Sequence, residues 1–347
     1  MSFSRFVAMM EIVFLGHIFN WPWRSRVHRR MVRSDVISRV IPRYFKRYLP
    51  AAAAVKEREV INNDKNDKIF TLWLQGEDKA PPLVQACFRS VRKNCKQELI
   101  VLDEKTVFDY ITLPDVIMEK RKAGKIAHAH FADICRVELL YQHGGYWLDS
   151  TGLATSAIPD WIENEDFFVY MAGQHVGSPY SFMQNCFIRA RKGAYLLDAW
   201  RAMILDYWTH ENSNFDYFMH QLLFKTLVMN DERAKKHFAK MPHVDQDPTH
   251  ALWWAYHDKP FDKKTFDDVT SGAKLVVVEA PQGATSGDYT LSANRLTSNV
   301  AGRFLLRAEY VVVSQRIGNV YQRCNELFLI VVIIIQQQIQ STSIIKR

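Results

Sequence analysis

The sequence predicts an α/β fold, a mainly parallel sheet flanked by helices with an N-terminal helical extension, and three observations carry that expectation. Short apolar runs end in turns, amphipathic segments alternate with them, and a Gly-Gly pair separates one such segment from a buried aromatic strand. With 347 residues, 48% of them hydrophobic and 24% charged, the chain can bury a full core.

The chain opens on FVAMMEIVFLGHIFNWPW, an apolar stretch that Glu11, His17 and Asn20 interrupt and that is too short to span a bilayer comfortably. Glu11 in its centre and the lack of a small-x-small site argue against a signal peptide. It reads either as a helix packed on the core or as an interfacial anchor, because Trp21 and Trp23 lead into an arginine run. Between Arg24 and Arg47 nine bases stand against one acid, Asp35, a surplus equal to the chain's whole net charge of +8. The remainder is near neutral. That argues against a nucleic-acid partner and for an anionic membrane surface. Residues 1–60 are therefore expected to form a basic helical extension that serves as a membrane-surface anchor. The five cysteines are odd in number and contain no C-x-x-C pair, so a reducing compartment fits, and the expected location is cytoplasmic, peripheral on the inner face of the cell membrane.

Ala51 to Lys68 turns from alanine-rich to polar and reads as a linker. IFTLWLQG has the pattern of a buried parallel strand meeting a turn, Pro81-Pro82 starts a helix through Cys87 and Val91, ELIVLD forms a second strand, and TVFDYITLPDVIMEKRKAGK reads as helical. In HAHFADICRVELLYQHGGYWLDSTG, Phe131, Ile134, Val137 and Tyr141 form an apolar stripe, while Asp133 and Arg136 share another face. Gly144-Gly145 ends that helix. Tyr146-Trp147-Leu148 then delivers Asp149 to the carboxyl end of a strand, the edge at which open parallel sheets bind ligands. The catalytic domain is expected over 66–315 and an apolar, glutamine-rich tail over 316–347, where nine apolar residues from Leu327 to Ile335 have the character of an aggregation-prone strand.

A carboxylate at a strand end can hold a diphosphate through a bridging Mg²⁺ or Mn²⁺, a second Asp can grip sugar hydroxyls, and an Arg can neutralise phosphate. Asp149, Asp133 and Arg136 supply these three groups. Taken singly, each has a plainer reading: Asp133 and Arg136 as a surface ion pair, Asp149 to Gly152 as a turn or cap.

Together the motifs resemble the sugar-binding region of the capsular polysaccharide synthesis proteins and the related family 32 glycosyltransferases. An A-x-x-(S/A)-D-x-x-R helix is matched by Ala129 to Arg136, and Y-G-G-x-(Y/W)-x-D-x-(D/T) by His143 to Thr151. The likeness is good from Lys68 to Phe224 and weak beyond. It implies an A-type nucleotide-diphospho-sugar transferase fold with a Rossmann-like sheet, and a transferase moving a sugar, with retention, from a nucleotide-sugar donor to a glycan or lipid-linked glycan acceptor. The implied metal ligands are Asp149 and Thr151, the latter standing where the wider superfamily carries a second carboxylate. Trp73 and Gln75 resemble the position that meets the nucleobase, although Trp73 is equally suited to the core. Asn185 resembles a residue near the reacting sugar or a buried amide capping a turn. Asp216 and His220, four apart in DYFMH, are expected on one helix face near the acceptor hydroxyl. His243, Asp245, Asp247 and His250 crowd one loop, followed by Trp253 and Trp254, which suit a sugar or the core. The missing second carboxylate keeps open a catalytically silent component that binds a sugar nucleotide or polysaccharide in a capsule synthesis complex. A hydrolase or phosphotransferase lacks a nucleophile motif.

Overall fold

The computed structural model describes residues 3–19, 26–61, 68–172, 181–252, 262–272 and 275–277. In chain order these form α1 (Phe3–Phe19), α2 (Arg26–Phe45), a 3-10 turn (Lys46–Tyr48), α3 (Leu49–Ala53), β1 (Lys68–Leu72), α4 (Pro82–Asn94), β2 (Glu98–Leu102), α5 (Asp115–Lys122), α6 (His128–His143), β3 (Gly145–Leu148) and β4 (Gly152–Ala154). There follow α7 (Asp160–Glu163), β5 (Phe167–Met171), β6 (Met183–Ala190), α8 (Tyr195–His210), α9 (Met219–Asn230), α10 (Glu232–Lys240), α11 (Lys263–Gly272) and β7 (Leu275–Val277). Trp21, Trp23, Trp253, Trp254 and the C-terminal tail lie outside the described residues.

The expected α/β class, a sheet flanked by helices with helices preceding it, is what the chain forms. The main sheet has the order β2-β1-β3-β6-β5. Its first three strands run parallel, and β6 runs antiparallel to both β3 and β5. Ile69 to Leu72 are all buried, as a parallel strand covered on both faces requires. Helix α4 starts with Pro at its first position, buries Val84, Cys87, Phe88 and Val91 along one stripe, and places Arg92 and Lys93 at its negative end. The polar segment after β2, read as one helix, is split into a 3-10 turn at Thr106–Asp109 and the short α5. Pro114 is the reason: it disfavours helix at Leu113 and cannot continue a helix from behind, yet it suits the position just before α5.

The N-terminal helices are built into this body. Val36, Ile37, Val40, Ile41, Tyr44, Phe45 and Tyr48 are buried, and the rings of Phe45 and Tyr48 pack edge-on against Tyr207 of α8. Glu211, just past α8, accepts hydrogen bonds from Arg5, Tyr44 and Tyr48. Burial alone would raise its pKa, but these donors outweigh burial and hold it below the ordinary value. On the same helix end, the Lys120 ammonium donates to the carbonyls of Trp208, Thr209 and Glu211, satisfying the orphan acceptors of α8.

Gly144 and Gly145 have φ of +71° and +98°. A Cβ on Gly145 would stand 2.5 Å from the Lys68 carbonyl oxygen of β1, so only glycine lets β3 approach β1 and present Asp149 at the sheet edge. Gly145→Ala is therefore expected to cost more than about 2 kcal/mol, from strained φ together with backbone overlap. Urea unfolding checks this, and an unchanged midpoint would remove the constraint.

Candidate active site

Because β1 and β3 are parallel neighbours, their carboxyl ends open on one edge, with Trp73 following the first and Asp149 the second. The antiparallel β6 brings Asn185 to the same edge: the Asp149 amide donates to the Cys186 carbonyl at 2.8 Å. Helix α6 adds Asp133 and Arg136, both buried.

At the centre lies the Arg136 guanidinium. Its Nη2 is 3.1 Å from Asp133 Oδ1 and 3.1 Å from Asp149 Oδ1, and its Nη1 donates to the Asn185 carbonyl. Asn185 Nδ2 donates to Asp133 Oδ1 at 2.8 Å, and Gln221 Nε2 to Asn185 Oδ1 at 3.1 Å. Trp147 Nε1 donates to Asp149 Oδ1 at 2.7 Å. The Arg136 side chain is 7% exposed and that of Asp149 33%, so Asp149 is the member that meets solvent. Burial raises the Asp133 pKa, yet Arg136 above all, with His220 and His130, brings it down to about 2. Burial opposes the charge on Arg136 as well, and the two carboxylates overcome it, so its pKa rises above the ordinary arginine value. A surface ion pair is thereby ruled out for Asp133 and Arg136: they form a buried charge cluster.

A second layer holds the other carboxylate oxygen. His130 Nδ1 and His220 Nδ1 lie 3.4 and 3.3 Å from Asp133 Oδ2, and the three ligand atoms fall within 4.8 Å of one another, which makes this a candidate metal cluster. Trp208 Nε1 donates to His220 Nε2 at 3.0 Å. An indole N–H is only a donor, so Nε2 carries the lone pair and the one proton of the neutral ring sits on Nδ1, facing Asp133. A metal ion on Nδ1 would require the proton on Nε2, setting two N–H groups against each other at that 3.0 Å contact. This packing therefore does not fit a metal ion at His220. Burial, assisted by His130 and Arg136 and opposed by Asp133, pushes the His220 pKa down to about 3, so the ring is neutral near pH 7.

The other sequence-predicted residues are distributed around this core. Trp73 is half-buried at the sheet edge, and Gln75 beyond it is exposed. Thr151 is half-buried in the turn closed by the Gly152 amide on the Asp149 carbonyl at 2.8 Å, so the Asp149–Thr151 pair shares one tight turn. Asp216 and His220 do not share a helix face. Asp216 precedes α9 and accepts from the Phe218 amide at 2.9 Å, an Asx turn that starts the helix, while His220 is 0% exposed and looks inward. In the later loop, His243 stacks on Phe238 and contacts its carbonyl, Asp245 is exposed, and buried His250 meets the Thr249 hydroxyl. The Asp247 side chain lies outside the described residues.

Sequence reasoning missed His130, Trp147, Trp208 and Gln221 as partners of the site. His130, three residues before Asp133 on the same helix, and Trp147, two residues before Asp149, carried local signals. Tyr217, exposed and with its ring 6.1 Å from that of His130, was likewise unmarked.

The profile of the capsular polysaccharide synthesis protein family matches residues 20–279, about three quarters of the chain, and takes in every site residue described above. Glycosyltransferase afumC of Aspergillus fumigatus (strain CBS 144.89 / FGSC A1163 / CEA10) is 30% identical over 117 residues, 32% of this chain and 30% of that protein. O-glycosyltransferase PaGT of Phomopsis amygdali is 28% identical over 116 residues, 32% of this chain and 29% of that protein. The chain thus spans about three tenths of the length of these curated relatives. The solved structure of PaToxG Glycosyltransferase is similar over 69% of this chain and 94% of that one, with 10% identity and a TM-score of 0.35.

Two measurements follow from the buried cluster. Arg136→Ala leaves two carboxylates without their shared cation and is expected to cost about 3–5 kcal/mol in urea unfolding. A loss below about 1 kcal/mol would return the contact to a surface pair. Because the folded His220 pKa lies below the unfolded value near 6.5, the unfolded chain binds the extra proton between roughly pH 6.5 and 3, and stability falls as pH falls through that window. The His220 contribution to the slope approaches about 1.4 kcal/mol per pH unit, and His220→Gln is expected to remove it. Equal slopes in the two proteins would place the titration elsewhere.

Proposed function

The chain belongs to the capsular polysaccharide synthesis protein family, and from that premise we propose that it is a glycosyltransferase, moving a sugar from a nucleotide-diphospho-sugar to a growing surface glycan with retention of configuration. The observation that carries this reading is the half-exposed Asp149 at the carboxyl end of β3, fixed by Trp147 and Arg136 over buried Asp133 and Asn185. The names of afumC and PaGT, both glycosyltransferases, support it.

In this reading the donor diphosphate lies over Asp149. A divalent ion there would be held by the Asp149 carboxylate, with Thr151 contributing a hydroxyl or a bridging water. One carboxylate and one hydroxyl are too few ligands for Mg²⁺ or Mn²⁺, so the rest would have to come from the diphosphate and from water. Such an ion neutralises charge on the leaving diphosphate. Arg136, enclosed by protein partners, acts as a positioning group for both carboxylates, and buried Asp133, whose Oδ1 faces Arg136 and Asn185 and whose Oδ2 faces two imidazoles, supports Asp149 from below in place of gripping the sugar itself. Trp73 offers a face for the base, Gln75 a polar contact beside it, and Asp216 lies on the acceptor side. The place of work is the cytoplasmic side of the membrane, with a glycan or lipid-linked glycan as acceptor. Thr151 in place of an acid favours one second reading, a silent component that binds the donor without turnover.

Asp149→Asn preserves size while removing charge, so transfer is expected to fall by at least about a hundredfold, with free-nucleotide binding falling less. Thr151→Asp is expected to tighten Mn²⁺ binding. UDP-, GDP- and CMP-sugars, with and without Mn²⁺, serve as donors in rate and thermal-shift measurements. A fully active Asp149→Asn protein would overturn the site, metal indifference in both variants would remove the ion, and donor binding without any transfer would favour the silent component.

A further inference from the structure

Helix α1 is inside-out for a helix at a water-facing surface. Its two charged residues point inward, Arg5 to Glu211 and Glu11 to Arg43. Its outer face carries Phe3, Phe6, Met9, Met10, Val13 and Phe14, exposed by 73, 46, 43, 48, 52 and 50%. At about 100° per residue these six fill one arc of roughly 140°, and no Asp, Glu, Lys or Arg falls within it. Among the described residues eleven large apolar side chains are exposed, and six of them stand on this one helix, so the patch is concentrated, not scattered.

Cations flank the stripe on one side. Arg43, Lys46 and Arg47 are exposed on the neighbouring α2 and its 3-10 turn. Arg43 reaches Glu11, and Arg47 Nη2 donates to Ser4 Oγ at 2.7 Å, so two of these bases lie directly against α1. They belong to the segment from Arg24 to Arg47 that holds the chain's entire positive surplus. An apolar arc edged by bases matches a lipid boundary, with acyl chains under the stripe and phosphates at its rim. A second copy of the chain would set like-charged rims against one another. No helix among the described residues is long and apolar enough to cross a membrane, so the orientation that uses the face is parallel to the surface.

We propose that α1 is an in-plane membrane helix whose Phe, Met and Val face enters the headgroup–acyl boundary of an anionic bilayer, with Arg43, Lys46 and Arg47 on the lipid phosphates. This rests on the membrane location proposed above and is independent of sugar transfer.

Co-sedimentation of the full chain with phosphatidylserine–phosphatidylcholine vesicles and with pure phosphatidylcholine vesicles, at one salt concentration, tests it. The wild type is expected to bind the anionic vesicles at least tenfold more tightly than the neutral ones. The variant Phe6→Ser/Met10→Ser/Val13→Ser is expected to lose at least tenfold of that binding with its circular dichroism and melting midpoint unchanged. Should the triple variant fail to fold, Phe6→Glu alone is expected to lower binding several-fold. Variants bound as tightly as the wild type would overturn the role of the stripe while leaving a basic-segment membrane location intact. A wild type that binds neither vesicle would remove both. A wild-type dimer that the triple variant dissolves, without vesicle binding, would assign the face to a second copy.

Discussion

The arrangement of the site depends on one buried cation. Arg136 lies between Asp133 on its own helix and Asp149 at the end of β3, and it reaches the Asn185 carbonyl of β6 as well. Two carboxylates cannot share so small a buried volume without a positive charge between them, since desolvation and mutual repulsion would protonate one of them. A guanidinium suits the task because Nη2 lies 3.1 Å from both carboxylates while Nη1 donates to the Asn185 carbonyl, a planar spread of donors that a single ammonium does not offer. Helix, parallel strand and antiparallel strand are thereby joined at the edge where a ligand would approach.

The second layer explains why Asp133 is held so firmly. Its Oδ1 faces Arg136 and Asn185, and its Oδ2 faces two imidazoles. The indole of Trp208 selects the His220 tautomer, and Trp208 belongs to α8, whose last carbonyls are capped by Lys120. The orientation of one carboxylate is thus set through an imidazole and an indole by the end of a distant helix. That constraint also explains why, in a cluster with the composition of a metal site, the His220 proton faces Asp133.

What the sequence disclosed was what is local in it. The helix from His128 to His143, the Gly-Gly break, the short strand through Tyr146, Trp147 and Leu148 and the position of Asp149 at its carboxyl end follow from periodicity and from glycine's tolerance of positive φ. That Asp133 and Arg136 share a face followed from i,i+3 spacing, whereas the burial of the pair did not. Contacts between residues far apart were not legible: His220 lies 87 positions from Asp133, and Arg5 lies 206 from Glu211. Such pairs leave no pattern in a single sequence, because each partner is chosen by the fold and not by its neighbours. The misplacement of Asp216 and His220 on one face has the same origin, since spacing alone does not tell that Asp216 would form an Asx turn ahead of α9 while His220 turned into the core. The antiparallel half of the sheet was hidden for a related reason: the buried strand MQNCFIRA mixes polar with apolar residues and carries no mark of the direction of its neighbours.

The contacts of the N-terminal helices bear on how a surface-bound enzyme would present its site. Arg5 of α1 and Tyr44 and Tyr48 of the following segment converge on Glu211, which directly follows α8. Trp208, the residue that fixes His220, stands three residues earlier on the same chain segment. A tether of flexible chain would let the catalytic body tumble above a membrane, so the direction of its open edge would be averaged away. Here the helix carrying the exposed apolar face is clamped by buried, charge-assisted hydrogen bonds to the segment that supports the active-site imidazole. In the proposed membrane-bound state, orientation at the surface would therefore be set by the same contacts that support Asp149, and a substitution at Glu211 would disturb the attachment of α1 and the seat of Trp208 together.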